Sequence, residues 1–398
     1  MPIEIGKEGT IVATGEKGIK LFQLLHLKSA LRLHTVGLRS RISPIAAAKQ
    51  LGFKGKTAKA LLPEVEARTL IAAAVRRELR LRSGLTDRAA IDDDREARLE
   101  VEALVDPDRQ RAQAAAALRN FDKAQSLLEV MPRDKPNFYL QRAVFLVDQG
   151  ELDAARSDAA TALKLSDKSS PRWLASLFTL ASAEYLAGDF DAARHRVQEL
   201  AAQLPAALSS VSRAESAEVV GVALSGALLA QRMQDRTLAN RMVAATSQQP
   251  LLASPELAEL MAVVRANDAR LAGHPDHALS QLKALLTGHE LFQTRQALFE
   301  TYVALARTEG AMEQGRWLQA KRGLAYAELT GYQSQQILNV ADSNLAALRM
   351  AELLRDSGSE NEARQALASF DKLWPRGKLP AYLRERRAKL DASSAGGV

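Results

Sequence analysis

The sequence predicts a mainly α protein: an α-solenoid of helical hairpins that follows a small basic α+β N-terminal domain. Three observations carry that expectation. Strong helix formers dominate the chain of 398 residues, and aromatic residues make up only 5% of it. The stretch Gly-acid-apolar-Asp-Ala-Ala-Arg occurs twice, beginning at Gly150 and at Gly188. Charge is segregated: residues 1–82 carry 16 Lys/Arg against 6 Asp/Glu, whereas residues 83–108 carry 3 against 9.

Strand character is confined to the start of the chain. Ile3 and Ile5 alternate with polar neighbours, and Thr10, Ile11 and Val12 are β-branched, so residues 3–14 read as two short strands around a Gly-Lys-Glu-Gly turn. Residues 16–36 read as a helix packed on several sides. Ser43-Pro44 starts another, which stops at Gly52, and a further helix runs from Lys56 towards Arg82 with a break at Pro63. Together these make a head over residues 1–82. Residues 83–107 form an acidic helical connector. The hairpins occupy 108–375, a capping helix 376–390, and a disordered tail 391–398.

The repeat has a physical logic. Ala143 stands seven residues before Gly150, and Leu152 and Ala155 follow it. Ala181, Gly188, Phe190 and Ala193 hold the same offsets, and Pro205 closes the second helix. Small side chains let two helices of a unit approach closely, and glycine supplies the left-handed backbone that ends the first helix. Weaker copies surround Asn120-Phe121, Gly273 and Gly358, with degenerate ones at Gln234 and Gly310. This pattern resembles the tetratricopeptide repeat family. The turns at 150, 188, 234, 273, 310 and 358 are about 42 residues apart on average, longer than the family's roughly 34.

The resemblance implies a superhelix whose concave face, lined by the first helix of each unit, holds a peptide or helix of a partner. Its register puts Leu140, Val144, Val147 and Asp148 on that face in one unit, Phe178, Ser182 and Tyr185 in the next, and Val263, Asn267 and Arg270 in a later one. Members that grip a C-terminal carboxylate use Lys, Asn and Arg there, of which only Asn267 and Arg270 are present. The alternative for these positions is cover by the chain's own residues 86–106.

The head offers a second function class. Gly52-Phe53-Lys54-Gly55 lies between two helices with Lys49, Lys54, Lys56 and Lys59 around it, and Arg76, Arg77 and Arg80 crowd a helix end. Backbone amides and cations so placed meet nucleic-acid phosphates; the same residues also fit a tight helix–helix turn with solvated cations. Gly55-Lys56-Thr57 lacks the preceding spacing of a phosphate-binding loop.

Catalytic and cofactor signals are missing. The chain has no cysteine, which excludes disulfides, Cys-ligated metals and thiol catalysis. His274 and His277 flank Pro275-Asp276 in a turn, with His289 further on, and read as surface residues. Trp173, Trp317 and Trp374 sit near helix ends and read as packing residues. The opening residues lack a signal peptide's apolar run, and no stretch reaches membrane-spanning length. The expectation is a cytoplasmic, non-enzymatic adaptor with no cofactor, metal, membrane or small-molecule substrate, whose partners are proteins; the alternative is a nucleic-acid-associated regulator.

Overall fold

The structure is a computed structural model, and it describes residues 3–5, 11–13, 45, 57, 107–211, 213–247, 255–287, 290–327 and 334–392. The chain divides into two compact units, Met1–Val130 and Met131–Val398.

In the first unit, β1 (Ile3–Ile5) and β2 (Ile11–Ala13) pair antiparallel, with Ile3 opposite Ala13 and Ile5 opposite Ile11. The helices read over 16–82 lie outside the described residues, except that Ile45 is helical and Thr57 is exposed. The expected α+β domain around the strands therefore finds no support among the described residues. The unit ends in a hairpin of α1 (Pro107–Ala117) and α2 (Phe121–Leu128). Asn120 caps α2, its side chain accepting from the Lys123 amide at 3.2 Å.

The described elements of the second unit are helical. Hairpins are formed by α3 (Pro136–Asp148) with α4 (Leu152–Leu165), and by α5 (Pro171–Ala187) with α6 (Phe190–Ser210). They continue with α7 (Arg213–Arg232) and α8 (Arg236–Thr246), then α9 (Pro255–Leu271) and α10 (Pro275–Lys283). Next come α11 (Phe292–Ala304) and α12 (Thr308–Ala320), followed by the short α13 (Arg322–Ala327). The last hairpin is α14 (Gln336–Asp356) with α15 (Glu360–Leu373), and α16 (Ala381–Ala392) ends the described chain.

One turn geometry joins the hairpins. Among the described residues, seven turns place a residue in the left-handed region: Arg119, Gly150, Gly188, Gln234, Gly273, Ala306 and Gly358. The N–H of the residue after each donates to the carbonyl five positions back, as Glu151 does to Leu146 and Arg307 to Tyr302, both at 2.9 Å. The left-handed residue itself donates three positions back, as Gly150 does to Val147 at 3.0 Å. This doubly bonded ending satisfies carbonyls that a helix terminus leaves open.

The alanine offsets persist with the turn. Ala112, Ala143, Ala181, Ala227, Ala266 and Ala351 stand seven residues before the left-handed position, and all are buried. Ala124, Ala155, Ala193, Ala239, Ala278, Ala311 and Ala363 stand five after it, and all are buried too. The unit that turns at Ala306 breaks the first rule with Phe299. There α12 supplies Gly315, where an added Cβ would lie 3.1 Å from the Phe299 ring and 2.7 Å from Met350 Sδ. A large residue on one helix is matched by no side chain on the other.

Two turn readings are corrected. The fifth turn of the second unit falls at Ala306, and Gly310 lies inside α12, where an added Cβ would meet the Tyr302 ring at 2.7 Å. Pro205 does not close α6, which runs on to Ser210. Pro205 is exposed, and water can take up the carbonyl that its missing N–H frees.

Gln234 is exposed and left-handed without being glycine, with φ of 61°. Gln234→Gly should raise stability by about 0.5–1 kcal/mol, since relief of the Cβ clash outweighs the added freedom of the unfolded chain. A urea midpoint that falls instead would contradict the strain argument.

The first helices form a row: α3 packs on α5, α5 on α7, α7 on α9, and α9 on α11. The row then returns on itself. Helix α14 packs against α11, α12 and α13 and also against α3 and α5, where the row began. Most of α14 is buried, including Asn339, Asp342, Ser343 and Asn344.

Candidate peptide-binding site

The face read as concave is largely buried within the chain itself. Of the residues read onto an open groove, Val144, Val147, Asp148, Phe178, Ser182 and Val263 are buried, whereas Leu140, Tyr185, Asn267 and Arg270 are half-buried. The expectation of an apolar open groove is not met at these positions: six of the ten are buried, and α14 packs against the first helices α3, α5 and α11. The acidic connector cannot be credited with this cover, because residues 83–106 lie outside the described residues.

Two carboxylates organise this buried region. Asp148 is fully buried at the end of α3. It accepts from the Arg322 guanidinium, from Tyr326 OH at 2.5 Å and from Asn344 Nδ2 at 3.0 Å. Arg322 donates also to Asn344 Oδ1 at 2.8 Å. Asp342 of α14 takes both Nη atoms of Arg232 at 2.7 Å, and Gln293 donates to Asp342 and to Asn339. Burial works against both arginine cations, and the adjoining carboxylates more than offset it, so both pKa values stand above the ordinary arginine value. Gln335 donates to Ser225 Oγ of α7 at 2.9 Å.

Charges gather at the C-terminal ends of the first helices. Arg349 reaches Glu352 at 3.0 Å and Glu300 at 3.8 Å, and Arg386 grips Glu352 with two bonds of 2.9 Å. Tyr185 and Tyr382 both lie in this region, and burial raises both hydroxyl pKa values. Phe190 joins the two rings edge-on, at 5.5 and 5.3 Å between centroids.

Arg270 is the exception in this cluster. Its guanidinium bonds Asn267 Oδ1 at 3.3 and 3.4 Å, and no carboxylate among the described residues pairs with it. Burial lowers its pKa; Glu300 opposes that, while Arg232 and Arg349 reinforce it. A half-buried cation beside an amide and two further arginines is suited to a carboxylate or another compact anion.

Sequence reading found Tyr185, Asn267 and Arg270 but missed Arg232, Glu300, Arg349, Glu352, Tyr382 and Arg386. Glu352 stands six residues before Gly358, the register that Asn267 holds before Gly273, and that signal could have found it. Glu300 holds the same offset from Ala306 and was hidden with that turn.

The other sequence candidates fall elsewhere. Lys49, Lys54, Lys56, Lys59, Arg76, Arg77 and Arg80 lie outside the described residues. His274 and His277 are exposed, His289 is outside the described residues, and no cluster suited to a metal ion occurs among those described. Trp173 and Trp374 are buried, and Trp317 packs against Phe292 and beneath Arg295. No described helix is long and apolar enough to cross a membrane. No protein-family model matches this chain, and no curated protein matches it.

Proposed function

We propose that the protein is a non-enzymatic adaptor of tetratricopeptide type that holds an acidic peptide segment of a partner at the mouth formed by Asn267, Arg270 and Arg349. The repeat type rests on the alanines at two fixed offsets from a left-handed turn. The ligand class rests on Arg270, a half-buried cation that lacks a carboxylate partner among the described residues. The C-terminal carboxylate and the acidic side chains of a peptide carry the planar group that a guanidinium fork binds.

The test is fluorescence anisotropy of the full chain against an array of acidic and C-terminal hexapeptides. Arg270→Ala should weaken the best binder about ten- to hundredfold, the loss of a charge-assisted bond. The same affinity in Arg270→Ala, or no binder in the array, would overturn the reading.

A second reading rests on the surplus of cations over residues 1–82. In it the head contacts DNA or RNA, and the hairpins serve as a sensor or oligomerisation module. It requires affinity for a duplex that falls steeply with salt and weakens when Lys49, Lys54, Lys56 and Lys59 are replaced by glutamate.

A further inference from the structure

The mouth at Arg270 has an aromatic wall. Phe190 opens α6 and is 37% exposed, although Leu152, which holds the same place after the preceding turn, is buried. Its ring meets Tyr185 on one side and Tyr382 on the other, edge-on at 5.5 and 5.3 Å between centroids. Gly188 admits the third ring: an added Cβ there would stand 3.1 Å from Tyr382 Cδ1 and 3.8 Å from Pro380 Cβ. Tyr382 OH is anchored on the Leu186 carbonyl at 3.2 Å. The rings form a shelf on which Phe190 is exposed and both tyrosines are half-buried.

The shelf adjoins the cations. Tyr185 stands three residues before Gly188 as Arg270 stands three before Gly273, so both hold one register on α5 and α9, with α7 between them. Arg232 and Glu300 act on the Tyr185 hydroxyl and on the Arg270 guanidinium alike. Arg232, Arg349 and Arg386 each have a carboxylate partner in this cluster, and Arg270 has none among the described residues. The Tyr185 hydroxyl likewise has no hydrogen-bond partner among them. A free cation, a free hydroxyl and an exposed ring therefore share one side of the second unit.

We infer that the acidic segment bound at the mouth carries an aromatic side chain, which lies on Phe190 and Tyr382 while its carboxylate meets Arg270. Packed helices stand about 8–10 Å apart, so the two steps from α5 to α9 span about 16–20 Å. An extended chain covers that in about five or six residues, which is the greatest separation of ring and acid. The chain's own acidic connector, the occupant that charge alone favours, has no aromatic residue over 83–106. The ring thus points to a segment of another protein. This inference rests on the peptide-binding reading and narrows it.

The test titrates the full chain, by fluorescence anisotropy, with acidic hexapeptides in pairs that differ only in holding phenylalanine or alanine at one position. The phenylalanine member should bind about tenfold tighter, from taking one aromatic side chain out of water onto other rings. Phe190→Ala should remove that preference. Arg270→Ala should weaken both members and keep it. With benzoylphenylalanine in place of phenylalanine, irradiation of the unaltered protein should leave the adduct on the segments that bear Phe190 and Tyr382, a result that no misfolded variant can imitate. Equal affinity within the pairs, a preference that survives Phe190→Ala, adducts confined to other segments, or displacement of the peptide by a synthetic copy of residues 83–106 at equal concentration would each overturn the shelf. If Arg270→Ala still weakens binding in the first three cases, the mouth stands without the shelf. If Arg270→Ala changes neither member, the mouth falls, and the inference falls with it.

Discussion

Asp148→Ala should lower the unfolding free energy of the second unit by about 3–5 kcal/mol, the cost of leaving a buried partner charge uncompensated. The carboxylate is fully buried and accepts from Arg322, Tyr326 and Asn344, so its removal takes an acceptor from each of them at once. Chemical denaturation followed by circular dichroism measures the effect. Arg322→Met should recover part of the loss when combined with Asp148→Ala, because the two residues belong to one network. A loss below about 1 kcal/mol for Asp148→Ala would mean that the network is solvated and holds nothing closed.

Phe299→Ala carries the second large effect, about 3–5 kcal/mol for emptying a buried aromatic position. Phe299 is 1% exposed and occupies the place that alanine holds in the other hairpins. Gly315→Ala should cost about 1–3 kcal/mol by itself, from overpacking against Phe299 and Met350. Combined with Phe299→Ala, the Gly315 change should cost less, because one of the two clashes is gone. Strict additivity in a double-mutant cycle would refute the idea that the two positions compensate each other.

The hairpin register was legible wherever glycine marked the turn. Gly150, Gly188, Gly273 and Gly358 each carry a positive φ, and the alanines around them are buried as their offsets imply. Gly310 misled because a glycine serves two ends: it can free the backbone, or it can make room for a neighbour, here the Tyr302 ring. Ala306 gave no warning, since alanine does not favour the left-handed region it adopts; nor does arginine at Arg119, whose unit was read from Asn120-Phe121 instead. Their turns are fixed by bonds back to the preceding helix, which no local pattern announces.

The candidate site was half legible. Asn267 and Arg270 follow from register alone. Arg349, Tyr382 and Arg386 arrive from the far end of the chain, and the Asp148–Arg322 pair spans 174 residues. Ordinary charged residues on helices carry no mark of so distant a partner. An alternating apolar pattern reports which face is covered, not what covers it, which is why the concave face read as open.

An open stack of hairpins tolerates a copy gained or lost, because every joint resembles the next. In the second unit the first hairpin, α3–α4, is bound to the last. Deleting or duplicating a hairpin between α3 and α14 would move Asn344 from Asp148 and Trp374 from Gly150, so these contacts constrain how many hairpins lie between them. Within the second unit, then, length cannot be tuned a hairpin at a time without losing the contacts between its first hairpin and its last.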